Sequence, residues 1–403
     1  MRILRDVESV SKCLVVLAVI ALAVPGFSGL SSAVQSLSTD TVKAVAVDPW
    51  TIALYIDADN NLESCYDQFT LPFLTNLAEN DQVNIVAWVD RLSTTGYEMI
   101  DFAGADTTST FSTTELGFGL ASTLTAFIDW SSSTYPSENY CLVLWDHGSA
   151  WKGFLADDTD GSRMYGPDFD RAVRDAGVQI DVLGVDACSM SSMERMYEFS
   201  ASGYIDIMVA SEELVPGNGF SYDLMFAPVV ADPTRTPEQL SSDMVLGWEA
   251  YYGASQRVNL AAVDLHTYRA ALTEFGVWNQ ELLDGYSSFY KAYNRAAKHS
   301  YQVSGSVCQI DMLDFAQLLY EELGKYPVTA ERTALSGATT GMINAFKVSV
   351  LALSTGSVAR DTTGISIWFG WGGTYDALIE YYSSNLWFTA DTQWDELIAA
   401  FNA

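Results

Sequence analysis

Two residue types that act together in covalent catalysis occur at matching places in this sequence. His147 follows the apolar run 140–145, and Cys188 follows the apolar run 180–185. A thiol becomes a strong nucleophile once a nearby imidazole accepts its proton. The chain holds only three histidines, so this pairing at equivalent positions predicts a Cys–His catalytic dyad.

The residues beside the dyad suggest further catalytic groups. Gly148 has no side chain to cover its backbone N–H, and we expect the N–H of Cys188 to face the same space. Two such donors would form an oxyanion hole for a tetrahedral intermediate. A helix predicted over 191–199 would also place Cys188 just before a helix N-terminus, where the dipole favours a thiolate.

The sequence lacks motifs that are typical of two other catalytic classes. There is no Gly-x-Ser-x-Gly segment and no phosphate-binding Walker loop, which disfavours serine hydrolases and nucleotide enzymes. His266 and His299 lack cysteine or carboxylate neighbours at metal-ligand spacing, so we interpret both as structural and predict no zinc site.

The dyad depends on elements that bring the two apolar runs together. Short apolar runs alternate with helical stretches from Trp50 onward, which predicts an α/β fold with a mostly parallel central sheet covered by helices on both faces. Ligands bind at the carboxyl ends of the strands in such sheets. The predicted strands are 50–56, 83–89, 140–145, 180–185, 205–210, 259–263, 348–353 and 364–369, with a hairpin arm at 98–102. The predicted helices are 62–77, 121–130, 167–176, 191–199, 237–252, 266–283 and 330–346.

The chain divides into an export region and two parts of one fold. Arg2, Arg5 and Lys12 precede an apolar run from Cys13 to Val24, which is too short to span a membrane. This pattern predicts a signal peptide over 1–33, cleaved after Ala33, with an uncleaved N-terminal anchor as the alternative. A linker over 34–47, a catalytic core over 48–231 and a more helical C-terminal α/β region over 232–403 follow.

Charge and cysteine content limit partners and crosslinks. The net charge of −31 repels nucleic acid and anionic lipid and attracts basic peptides. We therefore expect no nucleic-acid partner and no membrane contact beyond the N-terminal signal. If Cys188 stays free, at most one disulfide can form among Cys65, Cys141 and Cys308, and Cys65–Cys308 is the pairing to test.

Five segments carry a resemblance to a known family. They are YIDADNNLE (55–63), YCLVLWDHGS (140–149), GVDACSM (184–190), ASEELVPGNG (210–219) and TGISIWF (363–369). In their order and context they resemble the clostripain-like cysteine peptidases, relatives of caspases and gingipains. The resemblance covers nearly all of the chain after Trp50.

The resemblance implies a caspase-like fold and a Cys–His dyad at Cys188 and His147. We expect that no cofactor is required, with calcium possible. Relatives cleave after Arg or Lys using carboxylates in the specificity pocket. Asp186 matches one such position, although it could equally stabilise a turn, and Glu212 or Glu213 could supply a second charge.

The loop between the dyad residues suggests two further roles. Some relatives are activated by self-cleavage after a basic residue in this loop, for which Arg163 is the first candidate and Lys152 the second. Asp157, Asp158 and Asp160 could bind calcium, which clostripain needs, but the segment lacks the terminal Glu of an EF-hand loop. A solvated acidic turn is the alternative interpretation.

Together these observations predict a secreted cysteine endopeptidase that cleaves peptide or protein substrates after Arg or Lys. Two alternatives remain open. One is a catalytically degenerate extracellular module that binds basic peptides. The other is a transpeptidase or ligase that uses the same acyl-enzyme, which sequence cannot distinguish from a hydrolase.

Overall fold

The structure is a computed structural model that describes residues 47–253, 256–305 and 307–403. The predicted signal peptide and all but the last residue of the predicted linker lie outside these ranges. Within them, no helix combines the length and apolarity that crossing a membrane would take.

A nine-stranded sheet forms the centre of the molecule, in the order β12-β10-β9-β8-β5-β1-β2-β3-β4. The five strands from β9 to β2 are parallel, and the two strands at each edge run antiparallel to their neighbours. Its strands are β1 (Asp48–Ala58), β2 (Val83–Arg91), β3 (Tyr97–Asp101), β4 (Thr108–Ser112), β5 (Ser137–Trp145), β8 (Ile180–Asp186), β9 (Ile205–Ala210), β10 (Asn259–Asp264) and β12 (Val350–Thr355).

Both faces of this sheet are buried, which explains why the central strands read as continuous apolar runs. Along β1, Ala53 and Tyr55 pack into one core, while Ile52 and Leu54 pack into the core on the opposite face. The larger core holds the helices over 121–134 and 166–176 and the C-terminal helices. The other core holds the helices over 71–75, 222–231 and 237–252.

Helices occupy most of the remaining chain. A broken first helix comprises α1 (Glu63–Cys65), a π-helical turn (Tyr66–Thr70) and α2 (Leu71–Thr75), and a 3₁₀ turn spans Gly104–Asp106. The others are α3 (Ala121–Thr134), α4 (Gly166–Ala176), α5 (Met193–Phe199), α6 (Tyr222–Ala231), α7 (Pro237–Tyr252), α8 (Leu265–Asp284), α9 (Tyr286–His299), α10 (Met312–Leu323), α11 (Ala330–Lys347), α12 (Gly372–Asn385), α13 (Trp387–Thr392) and α14 (Trp394–Asn402).

The C-terminal part of the chain completes the sheet. Strands β10 and β12, both predicted, add to the β9 edge. The strand predicted over 364–369 is shorter and lies elsewhere: β13 (Ser366–Trp368) pairs with β11 (Gln309–Asp311) in a separate two-stranded sheet. A second small sheet joins β6 (Phe154–Ala156) to β7 (Arg163–Met164), in the loop between the dyad residues.

Candidate active site

The register of β5 and β8 brings the two dyad residues to one edge of the sheet. Trp145 lies opposite Asp186 in this parallel pair, and the backbone N–H of Asp146 donates to the Asp186 carbonyl at 3.3 Å. Two residues beyond this point, His147 and Cys188 line the same pocket of about 150 Å³. Asp186 and the loop after β9 also line it.

Gly148 packs directly against the backbone of Cys188. A Cβ atom there would lie 2.4 Å from the Cys188 carbonyl oxygen and 2.9 Å from the Cys188 nitrogen. Any side chain at this position would therefore push the backbone of Cys188 away. Among the described residues, no acceptor pairs with the backbone N–H of Gly148 or of Cys188, so both donors remain available to a substrate.

The surroundings of Cys188 favour the protonated form of its thiol. Its Sγ atom makes a weak contact of 3.7 Å with the Val215 carbonyl oxygen. Burial raises the pKa of the Cys188 thiol, and the carboxylates of Asp186 and Asp146 raise it further, against a lowering by the Val215 contact.

The prediction that a helix dipole favours the Cys188 thiolate is wrong. Helix α5 begins at Met193 with Ser192 as its N-cap, so Cys188 precedes it by more than a turn, and a helix dipole acts only over about one turn. In between, the Ser189 N–H donates to the Glu213 carbonyl at 3.0 Å, which turns the chain toward the end of β9.

His147 is held by a residue that the sequence reasoning missed. Its Nε2 atom lies 3.0 Å from Oδ1 of Asn61, an arrangement that leaves Nδ1 for a proton from a thiol or a substrate. Burial lowers the pKa of His147, and the positive charge of Arg163 lowers it further. Since Asn61 follows β1, the neighbour of β5, the same strand-end rule that identified His147 would have found it.

A second asparagine connects the end of β1 to Asp146, the residue before His147. The buried Asn60 side chain donates from Nδ2 to Asp146 Oδ1 at 2.7 Å and to the Ala156 carbonyl at 3.0 Å. Its Oδ1 accepts the backbone N–H of Leu62 at 2.8 Å. These contacts fix the segment that presents Asn61 to His147.

Asp186 lies in the pocket, as its predicted role in specificity requires. Its Oδ2 atom accepts the backbone N–H of Phe220 and the hydroxyl of Tyr222, each at 2.8 Å. Burial raises the pKa of Asp186 to about 7. The loop after β9 closes over this carboxylate at Gly219, which has φ +64° and whose Cβ would lie 2.7 Å from Asp186 Oδ2.

Glu212 and Glu213 are not brought into this pocket. Glu212 Oε2 accepts Asn259 Nδ2 at 2.6 Å and the Gly364 N–H at 3.1 Å, which joins β9 to β10 and to the segment before β13. Glu213 is buried and pairs with Arg257 at 3.1 Å. Their contacts are those of residues that tie the C-terminal part of the chain to the sheet.

The two candidate self-cleavage residues lie beside the segment that carries His147. Arg163 is exposed in β7, opposite Ala156 of β6, and its charge acts on His147. The backbone N–H of Lys152 donates to the Ser149 carbonyl at 2.9 Å within a tight turn.

The three aspartates predicted for calcium are not gathered at one place. Asp158 and Asp160 are exposed, whereas Asp157 is buried. The backbone N–H of Asp158 donates to the Asp59 carbonyl at 2.8 Å, and the carboxylate of Asp157 lies close to those of Asp59 and Asp90. The carboxylates that fit a cation therefore form a different set, with Asp157 as the shared member.

The disulfide suggested between Cys65 and Cys308 is wrong. All four cysteines in the described part of the chain are free. Cys65 lies in α1 near the position that a Cβ of Gly217 would take. Cys308 lines a separate pocket with Gly148 and Ser189.

Comparison with solved structures defines the fold class, and comparison with family models then defines the family. A secreted C11 cysteine protease from Bacteroides thetaiotaomicron, in complex with an irreversible peptide inhibitor, superposes with a TM-score of 0.66 at 15% identity, covering 86% of this chain and 99% of that one. An inactive zymogen C11 protease from Parabacteroides distasonis gives a TM-score of 0.64 at 18% identity, covering 86% and 99%. These likenesses confirm the predicted caspase-like α/β fold.

The model of the clostripain family matches residues 54–400, and the chain belongs to this family, as the five segments predicted. It is 27% identical to clostripain of Hathewaya histolytica over 237 residues. That alignment covers 49% of this chain and 44% of that protein, so the chain matches less than half the length of this curated relative.

Proposed function

We propose that this protein is a cysteine endopeptidase in which Cys188 is the nucleophile and His147 the acid–base group. The observation that carries the proposal is the shared pocket. It holds a thiol, an imidazole and a buried carboxylate within one concave site at the carboxyl end of the parallel sheet. The C11 cysteine proteases with the same fold add independent support.

The protonation states favour a dyad that becomes charged only when substrate binds. The pKa of Cys188 is raised and that of His147 is lowered, so both groups are neutral at neutral pH. His147 accepts the thiol proton as Cys188 Sγ attacks the scissile carbonyl carbon. Asn61 supports this step because it fixes the imidazole through Nε2.

The later steps use the same groups. The N–H groups of Gly148 and Cys188 stabilise the oxyanion of the tetrahedral intermediate. His147 then gives its proton to the leaving amine, and the C–N bond breaks. Water, deprotonated by His147, attacks the thioester carbonyl and releases the second product and the free thiol.

Asp186 supports a preference for Arg or Lys before the scissile bond. No Arg or Lys of the described residues forms a salt bridge with its carboxylate. A substrate guanidinium or ammonium would therefore supply the missing positive charge in a site that excludes water. The net charge of −31 would draw basic substrates toward the protein.

We also propose that the protein is exported through residues 1–33. The comparison with a secreted C11 protease supports this location. Mass spectrometry of the protein recovered from the culture medium of a secreting host would give an N-terminus immediately after Ala33. Retention of Met1 in the mature protein would instead indicate the uncleaved anchor.

The deciding experiment is cleavage of fluorogenic peptides that differ only before the scissile bond, with Arg, Lys, Ala or Asp. We expect the wild type to cleave the Arg and Lys peptides. Cys188→Ala should lose this activity by at least about 10³-fold, whereas Cys65→Ala, which removes a thiol outside the reacting atoms, should retain it. Absence of cleavage by folded wild type, or cleavage by Cys188→Ala, would refute the proposal.

A further inference from the structure

A second cavity lies beside the dyad. The first pocket is lined by His147 and Cys188, and the second, of about 130 Å³, is lined by the residue that follows each of them, Gly148 and Ser189. Its remaining wall comes from the loop after β9 and from the segment that leads into β11. The two cavities therefore meet along the segments that carry the dyad.

The two cavities extend toward opposite faces of the sheet. Leu62, Trp145 and Val215 line the first pocket and pack with the core over 71–75 and 222–252, whereas Val307, which lines the second, belongs to the larger core. A peptide whose scissile carbonyl accepts the N–H groups at the dyad would lie across the boundary between the cavities. With the side chain before the scissile bond in the first pocket, the second is left for the residue after the bond.

A buried amide without a partner indicates the kind of ligand that the second cavity would bind. Gln309, the first residue of β11, lines the cavity and is only 3% exposed. Its Nε2 atom has no hydrogen-bond partner among the described residues. Leaving a buried polar group unpaired is costly. A ligand oxygen that accepts a hydrogen bond from Nε2 would remove this cost.

The rest of the lining is largely polar and uncharged. Ser149, Ser189 and Ser304 contribute hydroxyl groups, and no acidic or basic residue in the described part of the chain lines the cavity. A site that offers hydrogen bonds but no counter-ion favours an uncharged polar side chain over an acidic or basic one.

The backbone around this cavity adopts conformations that are rare outside glycine. Ser189 has φ +59° and Cys308 has φ +56°, and they are two of five such residues in the described chain. Such strain persists only where the surrounding structure fixes it. The Ser189 N–H donates to the Glu213 carbonyl at 3.0 Å, and the Cys308 carbonyl accepts the Phe369 N–H at 2.9 Å. The walls of the cavity are therefore held in place before a substrate binds.

We propose that this cavity is the subsite for the residue after the scissile bond, and that Gln309 makes it select an uncharged polar side chain, asparagine foremost. The amide oxygen of a substrate asparagine would accept the hydrogen bond from Gln309 Nε2. The proposal rests on the peptidase function proposed above and adds a second determinant of specificity to it.

Peptides that share Arg before the scissile bond and differ only after it test this selection. Asn and Leu have nearly the same shape, so kcat/KM for the Asn peptide divided by that for the Leu peptide isolates the hydrogen bond. We expect a ratio of about ten in the wild type. The ratio should lie within about twofold of one in Gln309→Met, which keeps an unbranched side chain of similar length.

Two controls separate this effect from a change in folding. Gln317→Met, at an exposed position of α10, should keep the wild-type ratio. Gln309→Met should melt no lower than the wild type, because it removes a buried amide that has no partner.

Competition between added amines and water gives a second test, which reports only on the leaving side. The acyl-enzyme already contains everything before the scissile bond, so an added amine occupies only the subsite after it. The amine nitrogen attacks the thioester carbonyl, the C–S bond breaks as the new amide forms, and the amine's proton passes through His147 to the Cys188 sulfur. Asparagine amide should give about tenfold more amide product, relative to hydrolysis, than leucine amide at the same concentration. Gln309→Met should abolish this difference.

Equal kcat/KM for the Asn and Leu peptides in the wild type would overturn the proposal, and so would a preference that survives in Gln309→Met. A preference that appears only when the second residue before the bond is varied would also overturn it, because the cavity would then serve the acyl side. Absence of cleavage of every peptide would instead refute the peptidase function itself, so the two failures are distinguishable.

Discussion

Two adjacent strands of the sheet, β8 and β9, lead to buried carboxylates, and the contacts of these carboxylates differ. At the end of β8, Asp186 accepts two hydrogen bonds from neutral donors and lines the pocket with Cys188. After β9, Glu213 accepts from Arg257, from the Tyr301 hydroxyl at 2.6 Å and from the Ser304 N–H at 3.2 Å. A carboxylate can recognise a cation only where the protein has not already supplied one.

The difference also separates the proposed substrate-binding role of Asp186 from the structural contacts of Glu213. Asp186 stays in its place through Phe220 and Tyr222, while its charge remains without a counter-ion. Glu213 already has Arg257 as its counter-ion, and its neighbour Glu212 joins three segments of the fold. The strand-end rule locates both carboxylates, but only their partners assign their roles.

The largest effect should come from closing the gap between the β5 and β8 ends. Gly148→Ala places a methyl group against the Cys188 backbone, and we expect kcat to fall about 10²–10³-fold, as when an oxyanion donor is lost. Gly276→Ala, at an exposed helical position with no atom near its Cβ, is the matched control. Steady-state kinetics at equal folded fraction, checked by circular dichroism, measures the effect; wild-type kcat in Gly148→Ala would argue against the oxyanion assignment.

Substitution of Asp186 should lower selectivity, whereas substitution of Glu213 should leave it unchanged. Selectivity here is the kcat/KM for an Arg peptide divided by that for its neutral citrulline analogue. Asp186→Asn should lower this ratio about 10²-fold, since a buried charge pair is lost. Glu213→Gln should leave the ratio within about twofold; a larger loss in Glu213→Gln than in Asp186→Asn would reverse the comparison.

The pH dependence of this same ratio should show whether the charge of Asp186 sets the preference for Arg. Its pKa of about 7 means that the carboxyl group is mostly neutral at pH 6 and mostly charged at pH 8. The Arg-to-citrulline ratio should therefore rise about tenfold between these pH values. His147 acts on both substrates and cancels from the ratio. A profile that stays flat in the wild type, or that still rises in Asp186→Asn, would exclude Asp186 as the titrating group.

The smallest effect should be a loss of stability without loss of selectivity. Glu213→Ala leaves Arg257 and the Tyr301 hydroxyl without their shared partner, and we expect the free energy of unfolding to fall by about 1–3 kcal/mol. Glu249→Ala, on the exposed face of α7, should change it by no more than about 0.5 kcal/mol. Urea denaturation compares the two variants, and unchanged stability in Glu213→Ala would contradict its supporting role.

Prediction from sequence succeeded where a local pattern carried the information. The central strands were identified because burial on both faces makes them uninterrupted apolar runs, and this in turn located His147, Cys188 and Asp186 at strand ends. The short strands β4, β6, β7 and β11 were not predicted, because runs of two to five residues without a clear apolar pattern give no signal above that of a loop.

The sequence by itself determined the family, the α/β class and the residues that follow β5 and β8. Tertiary structure alone decided which polar side chains meet. It brought Asp157 close to Asp59 and Asp90, paired Glu213 with Arg257, and placed Asn61 against His147. The physical reason is that a strand's apolar pattern is a local property of the chain. The partner of a polar side chain is instead set by which segments the sheet order brings together, and these segments lie about 30 to 100 residues apart in the sequence.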